Sequence, residues 1–205
     1  MLAIARRRTF RRGEVVFHQD DPADSLHLVV EGRFGIARRT AIGEDTLLAI
    51  RGRGEAFGEL ALVSGRERSA TVTALEEGET LCVHRIDFDE LRARHSSVDR
   101  VLVSLLAQQL QRMNELLSEA FYENARHRVL RRLLELGSVD RGSGEEEIRI
   151  TQEQLGALAG ASRATVASVL AAERARGTIE VKRGVTILRD RTAVTRRAGL
   201  PAARN

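Results

Sequence analysis

The feature that most limits how this chain can fold is a stripe in its middle. Val103, Leu106, Leu110, Met113, Leu117 and Ala120 fall at alternating steps of three and four residues, flanked by Gln, Arg, Glu and Asn. This is a heptad seam on a long helix, and a seam so narrow is normally covered by a second helix. Another copy of the same helix is the simplest cover, which predicts a parallel homodimer through residues 103–120. The alternative is that the stripe packs on the rest of its own chain. Leu102, Leu105 and Leu116 offer a second apolar strip for inward packing, which leaves the seam to a partner.

The pattern differs on the two sides of the seam. Before it, "EVVFHQDDPADSLHLVVEGRFGIARRT", "DTLLAIRGRGEAFGE" and "ATVTALEEGETLCVHRI" alternate short β-like runs with Gly-, Asp- and Pro-rich turns. Such spacing predicts an all-β sandwich or barrel. With only 3% aromatic residues and no Trp in the chain, its core as a whole is expected to be aliphatic. "DFDELRARH" reads as a helix of one or two turns.

After the seam, the helical pattern breaks near Tyr122–Ala125. "RHRVLRRLLELG" is an amphipathic helix with Gly137 at its C′ position. "SVDRGSGEEE" reads as a loop and "EIRI" as a short strand. Thr151 and Gln154 form a capping box that opens "TQEQLGALAG". Gly160 and Ala161 make a tight turn, Ser162 caps "RATVASVLAAERAR", and Gly177 ends it. Two short helices about a Gly-containing turn predict a helix-turn-helix. "TIEVKRGVTIL" adds a β-hairpin, so the unit is winged, and a short helix with a basic tail follows.

A single cysteine, Cys82, allows no intrachain disulfide and no multi-cysteine zinc or iron–sulfur site, which suits the cytoplasm. There is no apolar run of transmembrane length and no membrane partner is expected. The net charge is +4, and nearly all the positive charge is Arg, since Lys182 is the only lysine. A basic balance of this size favours a polyanionic partner only weakly.

The helix-turn-helix gives that charge a direction. At the start of a recognition helix, Ser162 and Thr165 are short donors for backbone phosphates, and Arg163 can offer a guanidinium to guanine O6 and N7. Ser168 lies about a turn further along the same face. Thr151, Gln152 and Ala164, with Lys182 and Arg183 on the wing, complete the residues expected to face DNA. Ala157, Leu158, Val166, Val169 and Leu170 are expected in the core. The other cluster is residues 58–74, "GELALVSGRERSATVTA". Gly58 permits a tight backbone, Arg68 supplies a fork for an anion, and Ser69 and Ala70 supply a hydroxyl and an N–H. Glu59, with Leu60 beside it, suits a sugar hydroxyl. From the residues alone, an Arg68–Glu59 surface salt bridge fits equally well.

Taken together, "RGEVVFHQDDPADSLHLVVEGR", "FGELALVSGRERSATVTA" and "ITQEQLGALAGASRATV" resemble, in order, the first strands, the phosphate-binding cassette and the helix-turn-helix of one superfamily. It is the superfamily of the bacterial cyclic AMP receptor protein and the fumarate–nitrate reductase regulator. The resemblance implies an α+β chain: a jelly-roll sensor over residues 1–98, a dimerisation helix over 99–123 and a winged helix-turn-helix over 124–205. It implies a transcription regulator rather than an enzyme. The expected effector is a cyclic nucleotide, cyclic AMP or cyclic GMP, with no cofactor required.

By the same resemblance, Gly58 and Glu59 meet the ribose, and Arg68 and Ser69 the cyclic phosphate. Met113 and Asn114 match the pair that reaches the adenine, one of them across the dimer. Met113 departs from the hydroxyl residue usual in cyclic AMP receptors. In "SRATV", Arg163 keeps the guanine reader, Ala164 replaces the glutamate that accepts from cytosine, and Ser168 stands where arginine is common. The implied partners are a palindromic double-stranded operator, a second copy of the chain and RNA polymerase. His18, His27, His84, His95 and His127 leave haem sensing as a minor alternative.

Overall fold

A computed structural model describes residues 4–39, 45–139, 145–182 and 184–201. Arg183 of the expected wing lies outside the described residues. The chain divides into two compact units, Met1–Gln109 and Leu110–Asn205.

The first unit is built from β1 (Arg6–Phe10), β2 (Val15–Phe17), β3 (Ser25–Glu31), β4 (Phe34–Arg39), β5 (Asp45–Arg51), β6 (Ala56–Phe57), α1 (Glu59–Ser64), β7 (Thr71–Ala74), β8 (Gly78–His84) and α2 (Arg85–Arg94). The first half of α3 (Ser97–Tyr122) completes it. The strands form two antiparallel sheets, ordered β1-β8-β3-β6 and β2-β7-β4-β5. Phe10, Val29 and Phe57 from one sheet pack with Phe34, Val72 and Ala74 from the other, so the two sheets share one core. A second cluster, including Leu26, Val83, Phe88, Val98 and Leu102, seats α2 and the start of α3 on the sandwich.

The expectation of an aliphatic core holds for the buried residues of the second unit and is corrected in the first. Phe10, Phe34 and Phe57 are buried; His27 stacks on Phe57, and Phe17 meets both rings at a tilt. Whole-chain composition is an average, and this chain concentrates its few rings in one sandwich. Each fully buried ring contributes about 1.5–3 kcal/mol.

The second unit holds the rest of α3, then α4 (Ala125–Leu136), β9 (Ser138–Val139), β10 (Glu146–Ile148), α5 (Gln152–Ala159), α6 (Arg163–Ala175), β11 (Ile179–Lys182), β12 (Val185–Leu188) and α7 (Arg191–Arg197). Its sheet runs β11-β12-β10-β9. Val129, Leu133, Leu155, Val166, Ile187 and Val194 draw four helices and the sheet onto one core.

Several expectations shift. α2 has ten residues rather than one or two turns. Ser138 and Val139, read as loop, pair with β10. Gly137 ends α4 with φ −63° and ψ 126°, so it is not a left-handed C′ residue. The chain leaves the helix directly into β9. The break between α3 and α4 falls where the sequence placed it, and Asn124 caps α4 by accepting from the His127 N–H. Among the described residues, no single helix is long and apolar enough to cross a membrane.

Candidate functional site

Between β6 and β7 the cassette runs through Gly58, α1 and the loop to Ala70. Gly58 has φ +85°, and a Cβ there would lie 2.7 Å from Arg68 Nη1 and 3.1 Å from the Ser25 carbonyl oxygen. Only glycine combines that backbone with that approach.

Arg68 is almost wholly enclosed, with its side chain 1% exposed. Its Nη1 donates to the carbonyls of Ser25 (2.7 Å) and Gly58 (3.1 Å). Its Nη2 donates to Asp24 Oδ1 (3.0 Å) and Ser25 Oγ (2.9 Å). The guanidinium carbon stands 4.0 Å from the centre of the Phe17 ring. The Arg68 backbone is paired on both sides to the turn at Asp20 and Asp21. Burial pulls the Arg68 pKa down, and Asp24 works against that fall. For Asp24, burial raises the pKa, but the Ser25 hydroxyl and Arg68 together hold the carboxyl below its usual range.

Glu59 is also buried, at 5% exposure. Its Oε1 accepts from Gln109 Nε2 at 2.8 Å. Arg68 and Glu59 are therefore not a surface pair: each side chain is buried and each has its own partner. Two atoms remain without a hydrogen-bond partner, Arg68 Nε and Glu59 Oε2. One is a donor and the other an acceptor. Ser69 is exposed, Ala70 buried and Leu60 half exposed. Leu60, Ser64, Arg66, Arg68 and Ser69 line a crevice of about 320 Å³ together with the Gln19–Asp20 turn and neighbouring charged residues.

Sequence reasoning missed the shell behind Arg68. His27 sits beneath it, stacked on Phe57 with centroids 5.0 Å apart. The His27 ring nitrogens meet Thr80 Oγ1 (3.0 Å) and Ser25 Oγ (3.4 Å). Burial, and then the charge of Arg68, push His27 down to about 3, so it stays neutral. Gln109 was also missed, although it lies one turn before Met113 on the same helix. Met113 and Asn114 are exposed on α3, in the second unit. Val103, Leu110 and Leu117 of the seam are exposed too, whereas Leu106 packs against the core; of the expected inward strip Leu102 is buried, but Leu105 and Leu116 are only half-buried.

In the second unit, α5 and α6 meet at 108°, within the range of helix-turn-helix pairs. The capping box is complete. Thr151 Oγ1 accepts from Gln154 N (3.1 Å), and Gln154 Oε1 accepts from Thr151 N (3.0 Å). Gly160 turns the chain with φ +55°. Ser162 Oγ accepts from Thr165 N at 3.1 Å and lies 2.9 Å from Thr165 Oγ1, so these hydroxyls first serve the cap of α6.

Arg163, Ala164 and Ser168 lie on the exposed face of α6, while Val166, Val169 and Leu170 are buried. Thr151 and Gln152 are exposed at the start of α5. Its buried side is Leu155, Gly156 and Ala159, with Ala157 and Leu158 only half-buried. Arg163 Nη2 stands 3.5 Å from Glu153 Oε2. Lys182 is exposed on the wing, 3.4 Å from Glu180. No group of three or more His, Cys, Asp or Glu side chains that could hold a metal ion occurs among the described residues.

Comparison with known proteins agrees with both halves. Residues 7–95 match the cyclic nucleotide-binding domain, and residues 127–197 match the Crp-like helix-turn-helix domain. The chain is 35% identical over 189 residues to the cyclic AMP receptor protein of Thermus thermophilus, covering 92% of this chain and 86% of that one. It is 31% identical over 193 residues to the CRP-like cAMP-activated global transcriptional regulator of Mycobacterium tuberculosis, with coverage of 92% and 86%. Its fold matches the solved structure of FixK2 from Bradyrhizobium japonicum with a TM-score of 0.80 at 21% identity, over 98% of this chain and 100% of the other.

Proposed function

Because the chain belongs to the cyclic AMP receptor protein family of transcription regulators, we propose that a cyclic nucleotide held by its cassette controls the binding of a homodimer to DNA. The observation that carries this reading is the pair of buried, unpartnered atoms in the cassette. Each such group costs about 1–3 kcal/mol when left unpaired. An anionic phosphate and a ribose hydroxyl, on one ligand, supply the acceptor that Arg68 Nε lacks and the donor that Glu59 Oε2 lacks. The exposed Ser69 hydroxyl is a further donor beside Arg68, and Gly58, Leu60 and Ala70 shape the same wall. No cofactor is needed.

Cyclic AMP is the first candidate effector. Met113 has no donor for a base nitrogen, so the base is read less strictly and cyclic GMP is the second; Asn114 is the remaining polar residue of that pair. The exposed seam through residues 103–120 pairs with its copy. The dimer sets two recognition helices on a palindromic operator, with half-sites one helical turn, about 34 Å, apart. Arg163 reads a guanine; Ser162, Thr165, Lys182 and Arg183 meet phosphates; and Thr151, Gln152, Ala164 and Ser168 complete the contact face. The protein acts in the cytoplasm by binding rather than catalysis, and RNA polymerase is its downstream partner.

Calorimetric titration with cyclic AMP and cyclic GMP tests the sensor reading. Binding to the wild type that disappears in Arg68→Gln and weakens in Glu59→Gln is the expected result. A second reading is favoured by the enclosure of Arg68, whose four Nη hydrogens are already directed at protein acceptors. In that reading the cassette is a structural inheritance, neither nucleotide binds, and the dimer binds DNA without an effector.

A further inference from the structure

The end of α3 and the recognition helix α6 are joined by two arginines of α4. Arg128 Nη1 donates to the Glu123 carbonyl at 2.7 Å, one residue beyond α3. The same side chain donates from Nε to the Ala159 carbonyl and from Nη2 to the Gly160 carbonyl, both at 2.8 Å. One guanidinium therefore spans from the end of α3 to the turn that starts α6.

Arg131 makes the second link. Its Nη2 donates to Glu123 Oε1 (2.8 Å), and its Nη1 lies 3.4 Å from Glu119 Oε1 on α3. Its Nε donates to the Ala198 carbonyl at 3.1 Å, at the end of α7. The neighbouring residue, Arg197, reaches the other end of α6. Arg197 Nε lies 3.0 Å from both oxygens of Glu173, and Nη2 lies 2.5 Å from Oε2. Glu173 is fully buried and also accepts from Thr178 Oγ1 at 2.8 Å. Arg132 adds an ion pair to Glu119.

A buried carboxylate is costly unless paired and hydrogen-bonded, and such pairs add geometric specificity more readily than stability.

We infer that Arg128, Arg131, Arg197 and Glu173 are positioning residues: through them the last turns of α3 set the orientation of α6 at both its ends. The inference rests on the DNA-binding reading but not on the identity of any effector. Arg128 fixes the N-terminal end of α6 through the turn. Arg131, Ala198, Arg197 and Glu173 fix its C-terminal end through α7. A shift in the final turns of α3 would then move the recognition face as a body, with α7 as the strut to its C-terminal end.

Residues with no shared partner contribute almost additively, whereas members of one network do not. The test is a double-mutant cycle on the full-length dimer. The duplex is one selected by the wild-type protein from a random pool, with a scrambled duplex alongside. Arg131→Gln and Arg197→Gln should each weaken specific binding about tenfold, while binding to the scrambled duplex is unchanged. The double variant should be no worse than the weaker single, departing from the product by more than about threefold. Glu173→Gln, a milder change, should couple to Arg131→Gln in the same sense. Thr151→Ala, outside the network, should combine with Arg197→Gln multiplicatively. Multiplicative losses for Arg131 and Arg197, or equal losses on both duplexes, would overturn the proposal. A wild type that selects no duplex would overturn the DNA-binding reading with it.

Discussion

Arg68 shows what single residues contribute and what the sequence could tell of them. The expectation that it forks an anion, with Ser69 and Glu59 on the same ligand, rests on seventeen consecutive residues. Its actual partners are not legible there. Asp24 and Ser25 lie 44 and 43 positions away, and Gln109 lies 50 positions from Glu59. Such contacts have no local signature; the fold alone brings them together. The same holds for His27, whose ring orders Ser25 beneath the guanidinium. His27 also gives this region a pH dependence. Its folded value, about 3, lies below the unfolded value of 6.5. The folded state keeps the ring neutral while the unfolded chain takes up a proton. This contribution is complete above the unfolded value and is lost as the pH falls through the window toward 3. The urea midpoint of the wild type should drop between about pH 7 and about pH 5, and His27→Gln should show a shallower drop. Equal slopes would mean that His27 is not held neutral by the fold.

Elements were more legible than contacts. Both helices of the helix-turn-helix, their caps and the α3–α4 break follow from local chemistry, because a cap is satisfied by residues three positions away. Thr151→Ala removes one half of the capping box and should cost about 1 kcal/mol, measured as a lower melting temperature with unchanged secondary structure at low temperature. The seam was legible because its period is a property of one helix. Leu110→Glu and Leu117→Glu place charges on that exposed face. Each should turn a dimer into a monomer in sedimentation experiments without unfolding the chain; a persistent dimer would show that another surface joins the copies. What composition could not reveal was distribution. The aromatic rings are few, yet Phe10, Phe34 and Phe57 were gathered in one sandwich, and an average over the chain carries no such information. Gly137 misled for a related reason: glycine after a helix signals a left-handed residue only when the chain reverses there, and here it continues into a strand.

At the scale of the whole molecule, the order of parts is the strongest statement in the sequence: sandwich, seam helix, helix-turn-helix, hairpin. Each part implies the next, since a sensor needs a route to a DNA-binding face and, among the described residues, the long helix is the element present in both units. Phosphate contacts from the wing and the recognition helix should make DNA binding weaken with salt, in proportion to the number of phosphates met. If the cassette governs that binding, DNA affinity depends on the nucleotide. This is tested most directly by measuring the affinity of the full-length protein for its selected duplex by fluorescence anisotropy, with and without saturating cyclic AMP or cyclic GMP. At least one nucleotide should tighten binding about tenfold, and Arg68→Gln should abolish the gain while keeping the basal affinity. An affinity identical with and without both nucleotides would mean that the cassette does not control DNA binding.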